Sequence, residues 1–359
     1  MSRAHNFCPG PCTLPVSVLE ELSDEMVEYR DSGMSVIEMS HRSAEYEAIH
    51  NQTVDRLRSL AGAPDDIEVL LLQGGATLQF AMVPQNLLGG SKRAGYVVGG
   101  AWGTKALADA SKIGDVYTAW SDSSDGPASM PDPDQVTIED GTTFLHVTSN
   151  ETIEGSRMID FDYETRLVAD MSSDYLSRPI DWDHFDLVYG GAQKNLGPAG
   201  LAVVFIRSSL LEEASDHLPS YLRYDTHAKA NSLANTPPVF SIWAMGKVLA
   251  WMEGVGGVDA MEKRATERSS LVYDTIDTSN GFYHNPVEGR FRSQTNIVFT
   301  LPTTDLEAEF LVLAKAEGLL NLKGHRSVGG MRASIYNGLP TLSVEALVQF
   351  MGHFAQKRG

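Results

Sequence analysis

The chain has 359 residues, 42% of them hydrophobic, and a formal net charge of −19 from 28 Lys and Arg against 47 Asp and Glu. That length suits an α/β body with a smaller second domain, and the charge argues against a nucleic-acid backbone or an anionic membrane as partner, since either requires an extended basic surface. No stretch approaches the roughly 18 uninterrupted apolar residues of a membrane helix, and the opening MSRAHNFCPGPCTLP has no apolar core of a secretory signal, so a cytoplasmic protein is expected.

From Pro15 to Arg30, Val18, Leu19, Leu22, Met26 and Val27 recur at helical spacing, with Pro15 suited to a first turn and Gly33 just past the end. A second helical pattern runs from Ser43 to Leu60. Short apolar runs then alternate with helical segments. The runs 67–72, 95–100, 144–149, 166–170, 186–191 and 201–206 read as strands, and their near-continuous apolarity suits a mainly parallel sheet buried on both faces. Beyond about residue 255 the texture changes to helices near 259–276 and 305–317 and an isolated strand at 296–301. A large α/β domain over 16–255 is expected, with residues 1–15 joining 256–359 in a smaller α+β domain.

The two cysteines, Cys8 and Cys12, flank Pro-Gly-Pro; without a second Cys/His pair at ligand spacing they suggest no metal site, and no disulfide is expected. The sequence LLLQGGATLQF (70–80) places a Gly-Gly turn between a strand and a helix, which offers backbone N–H groups to a phosphate. It lacks the Lys-Ser/Thr ending of a nucleotide-binding P-loop, and VVGGAWGTK (97–105) lacks dinucleotide-fingerprint spacing. In the latter, Trp102 is able to stack on a planar ring or to serve the core.

The segment YGGAQKNLGPAG (189–200) runs a strand into small residues and a single amine, Lys194, where a flat cofactor can be held covalently. Asp170 ends the apolar run RLVAD. Strand C-termini converge on the ligand crevice of an open α/β sheet, so Asp170 is expected to face the same site, as partner to a pyridinium nitrogen or as a helix cap.

Together with FCPGP, MSHRS (39–43), GAWG (100–103), SNETIEG (149–155), ADMSSDYLSRPID (169–181), NTPP (235–238) and KGHRSVGGMRASIYN (323–337), these motifs run in family order across nearly the whole length. The chain resembles the class V, fold-type I aminotransferases, and among them the phosphoserine-specific family. The resemblance implies a pyridoxal 5'-phosphate enzyme that exchanges O-phospho-L-serine and 2-oxoglutarate with 3-phosphohydroxypyruvate and L-glutamate. It makes Lys194 the Schiff-base lysine, Asp170 the ring-nitrogen partner, Trp102 the stacking residue and Thr152 a donor to the phenolic oxygen. Ala76, Thr77 and Gln193 would hold the cofactor phosphate, joined by Asn235 and Thr236 from the other subunit of a homodimer. His41, Arg42, His325, Arg326 and Arg332 would bind substrate phosphate and carboxylate. Bacterial members also aminate a phosphorylated hydroxythreonine precursor of vitamin B6.

Composition supports an anionic substrate independently of the resemblance. Residues 318–344 hold no Asp or Glu, against roughly three to four at the chain average, yet carry Lys323, His325, Arg326 and Arg332. A cysteine desulfurase would need a cysteine late in the chain, and none follows Cys12. An alanine–glyoxylate type enzyme has no use for this second basic cluster, and a non-catalytic nucleotide-binding module leaves Lys194 and Asp170 without a role.

Overall fold

The computed structural model describes residues 3–89, 92–122, 128–213 and 217–359. Seven strands form the central sheet: β1 (Ile67–Gln73), β2 (Arg93–Val98), β3 (Asp115–Ser121), β4 (Thr142–Thr148), β5 (Leu167–Asp170), β6 (Leu187–Gly191) and β7 (Leu201–Arg207). Their order is β1-β7-β6-β5-β4-β2-β3. All run parallel except β7, which pairs antiparallel with both β1 and β6.

The continuous apolar runs are explained by two cores, one on each face. Val69, Leu71, Val147, Ala169, Val188, Val203 and Phe205 point to one side, against α1 (Val16–Asp24), α2 (Ala44–Ala61) and α5 (Val239–Gly254). Leu70, Leu72, Tyr96, Val168, Tyr189 and Val204 point to the other, against α3 (Gly75–Leu87) and α4 (Ala101–Ala110). A third cluster joins Phe7 to α6 (Gly257–Asp277), α7 (Thr304–Ala316), α8 (Thr341–Arg358) and the antiparallel pair β8 (Asn296–Phe299) and β9 (Met331–Ser334). Among the described residues, no helix is long and apolar enough to cross a membrane.

Two expectations need correction, and one strand of the sheet had no counterpart among them. The first helix stops at Asp24 rather than Arg30: Val27 is 84% exposed, so the apolar repeat there buries nothing, and the chain turns through Arg30 and Asp31 at positive φ. The strand at 296–299 is not isolated, because Met331–Ser334 pairs with all of it. Asp115–Ser121 is a strand that was not anticipated: it forms one edge of the sheet, and only Ala119 within it is buried.

Candidate active site

Strand exits at the C-terminal edge of the sheet gather the chemically active side chains. Asp170 closes β5, and Lys194 lies in the turn between β6 and β7. Both line a cavity of about 690 Å³ together with Pro9, Gly10, Pro11, Gly74–Thr77, Trp102, Thr152, Ile153, Ser172, Gln193, Ala199, Gly200, His325 and Arg332. Lys194 is 8% exposed, and its Nζ donates to Thr152 Oγ1 at 2.7 Å. Burial lowers its pKa, opposed by the nearby Asp170 and Glu151 carboxyls, so a larger share of the amine is neutral and nucleophilic.

Asp170 is buried too, and desolvation pushes its carboxyl up, while Lys194 and hydrogen bonds from Ser172 pull it back. It caps no helix. Its Oδ1 accepts from Ser172 N at 2.9 Å and Ser172 Oγ at 2.5 Å, and the second oxygen is left to meet a cationic ring nitrogen. Ser172 Oγ in turn accepts from Gly191 N at 3.1 Å, tying β5 to β6. The Trp102 ring centroid stands 5.5 Å from Lys194 Nζ.

At α3 the left-handed Gly74 (φ 87°) precedes the first turn, and no side chain caps it. The amides of Gly75, Ala76 and Thr77 are therefore open to an anion, aided by the positive end of the helix dipole. Across the cavity, Arg332 Nη1 donates to Thr152 O at 3.1 Å, while Nε is buried without a partner. An orphaned guanidinium donor in a pocket is suited to a carboxylate. A buried amine, a buried carboxylate, an aromatic face and an open helix N-terminus together fit a planar aldehyde carrying a phosphate.

The match to known proteins agrees with this geometry. The aminotransferase class V family model matches residues 4–347. The chain belongs to that family. It is 49% identical to a phosphoserine aminotransferase of Niallia circulans over 99% of both chains. The solved phosphoserine aminotransferase of Bacillus circulans subsp. alkalophilus superposes with a TM-score of 0.97 over 99% of each chain, at 49% identity. A pyridoxal-phosphate-bound phosphoserine aminotransferase from Trichomonas vaginalis gives 0.94 at 36% identity, covering 98% of this chain and 100% of that one.

Of the class V residues expected from sequence, Ala76, Thr77, Trp102, Thr152, Asp170, Gln193, Lys194, His325 and Arg332 meet at one cavity. His41, Arg42, Asn235, Thr236 and Arg326 do not line it. Arg42, Asn235, Thr236 and Arg326 are exposed on their own chain. Ser172 was missed, although the polar MSSD after Asp170 carried the signal. Pro9–Pro11, from the FCPGP motif, form one wall; Cys12 N donates to Gln193 O at 2.9 Å and holds it against the lysine turn.

Proposed function

We propose that the protein exchanges amino groups between O-phospho-L-serine and 2-oxoglutarate, using pyridoxal 5'-phosphate held covalently by Lys194. The observation that carries this reading is the buried Lys194 amine, with its lowered pKa, beside the buried Asp170 carboxylate. When bound, the cofactor supplies a sink for the electron pair left as the substrate α-carbon gives up its proton. Asp170 would hold the ring nitrogen protonated, and the amides of Ala76 and Thr77 with Gln193 would seat the phosphate. Thr152 would donate to the phenolic oxygen, and the Trp102 face would cover the ring. With its amine free, Lys194 would be the base that takes the substrate α-proton and returns it.

Arg332 would take the substrate carboxylate, with His325 beside it. Arg326, adjacent to His325 and outside the cavity, would meet the substrate phosphate at its mouth. His41, Arg42, Asn235 and Thr236 are assigned to the site of a second copy, which makes the working unit a homodimer with composite sites. The separate apolar cluster around Phe7 and residues 272–354 supports a small domain of 1–15 plus 256–359 on a large one of 16–255. Cys8 and Cys12 are both free, in keeping with a reducing, cytoplasmic setting.

An amino-group exchange assay with phosphoserine, serine and alanine against 2-oxoglutarate tests the reading. A clasped phosphate should favour phosphoserine over serine by on the order of a thousandfold in kcat/KM. Equal rates for phosphoserine and serine would rule out the phosphorylated substrate.

A further inference from the structure

The two helices that open onto the cavity begin in opposite ways. α3 leaves its first amides free, whereas α4, which carries Trp102, has every one of them occupied. Glu154 Oε1 accepts from Ala101 N at 3.0 Å, and Glu151 accepts from Trp102 N at 3.1 Å and Gly103 N at 2.8 Å. Thr104 N already bonds Gly100 O, so these are the three amides of the first turn that the helix itself cannot satisfy. Two carboxyls from one loop take all three.

The pair is built in closely. Glu151 is fully buried, and a Cβ added at Gly100 would lie 2.5 Å from Glu154 Oε2 and 2.8 Å from Glu151 Cδ. Glycine at 100 is what lets both carboxyls reach the backbone. Glu154 Oε2 is buried with no donor, and the neighbouring Glu151 carboxyl supplies one only if a proton stays between them. Between the two glutamates lie Thr152 and Ile153, and the Thr152 hydroxyl accepts from Lys194 while its carbonyl accepts from Arg332. One short loop therefore sets the amine, the guanidinium and the indole together.

We propose that Glu151 and Glu154 are positioning residues: as a carboxyl pair holding one proton between them, they suspend α4 by its three free amides and fix the Trp102 indole relative to the Lys194 amine. The Trp102 indole Nε1 has no partner of its own, so backbone and packing alone must aim the ring. Closing this helix end also leaves α3 as the open anion seat on that side. Asp170, Tyr189 and Lys194 face Glu151, and Arg332 faces Glu154. Burial, then the Glu154 charge, pushes the Glu151 carboxyl well above the usual carboxylate range, which favours keeping the proton.

The statement about the indole rests on the cofactor reading above; the amide clamp does not. Hydrogen exchange on the cofactor-bound enzyme should show Ala101–Gly103 protected. Glu151→Ala should speed exchange there about tenfold or more, leave Leu187–Gly191 unchanged, and weaken pyridoxal-phosphate affinity by a similar factor. Glu151→Gln, which keeps one acceptor and donates to Glu154, should hold affinity within about threefold of wild type. Wild-type exchange rates in Glu151→Ala, or fast exchange with unchanged affinity, would overturn the positioning role. Should Glu151→Ala fail to fold, wild type decides: a protonated-carboxyl infrared band at neutral pH, lost in Glu154→Gln, is expected, and its absence or its survival in that variant refutes the shared proton. A protein that binds no pyridoxal phosphate would sink the functional reading, while amide exchange would still judge the clamp.

Discussion

Arg332→Ala should lower kcat/KM for phosphoserine and for glutamate by the same factor, because the two amino donors share an α-carboxylate and differ beyond it. Arg332 is 6% exposed; its guanidinium donates to Thr152 O, and among the described residues Nε is orphaned and no carboxylate is ion-paired with it. Truncating one member of a buried, hydrogen-bonded charge pair costs about 3–5 kcal/mol, which is on the order of 10²–10⁴ in rate constant. Arg332→Lys keeps the charge and loses the two-pronged fork, so about tenfold or more should still be lost. Stopped-flow measurement of each half-reaction gives the two values separately. By contrast, Arg326→Ala should reduce the phosphoserine value far more than the glutamate value. A loss below tenfold in Arg332→Ala, or one differing more than about threefold between the donors, would refute the carboxylate assignment.

Borohydride reduction of the cofactor-loaded protein should bleach its near-visible absorption and leave the reduced cofactor on Lys194 by peptide mass spectrometry; finding it on another lysine would displace Lys194. Buried His146, bonded to Tyr189 Oη at 2.8 Å and stacked on Tyr96, is pushed down to about 3 by desolvation from an unfolded value of 6.5. It is a base held neutral in the fold, so its stabilisation is present above pH 6.5 and is lost as pH falls from 6.5 toward 3, at up to about 1.4 kcal/mol per pH unit. Urea midpoints should therefore fall more steeply below pH 6.5 in wild type than in His146→Asn, and parallel slopes would contradict this. Refolding Lys194→Ala with Thr236→Glu should restore roughly a quarter of wild-type activity, since about half the dimers are mixed and each mixed dimer keeps one intact site. An inactive mixture with subunit exchange proven by mass would place Thr236 in its own subunit's site.

What was legible in the sequence follows from where each element sits. Central strands such as Leu201–Arg207 face a core on both sides and show it as an unbroken apolar run. The edge strand Asp115–Ser121 faces solvent on much of its surface and carries no such run. Helix Thr341–Arg358 buries Val344, Leu347, Met351 and Phe354, but the exposed Leu342 and partly buried Val348 and Phe350 blur its stripe. In the site, Lys194 and Asp170 are marked by strand ends and small neighbours, which are local signals. Glu151 acts on the Gly103 amide 48 residues upstream, and a contact of that kind leaves no periodicity to read. Arg42 and Asn235 were placed at the site by resemblance alone; on a single chain both are exposed and away from the cavity.

The charge of the whole molecule and the charge of its site answer different questions. A chain of net −19 repels a dianionic ligand at long range, yet salt screens that field over about 8–10 Å. Seating is decided inside that distance, by the open amides after Gly74, the orphaned Arg332 donor and the acid-free stretch 318–344. The same sheet edge carries a second helix end, at Ala101, with an equal electrostatic claim on a phosphate, and two carboxyls occupy it. The cavity therefore has one anion seat at α3 and one guanidinium opposite, with the amine and the ring-nitrogen partner between them. Surface acids far from this arrangement should alter association rate and its salt dependence, and leave the choice between phosphoserine and serine untouched.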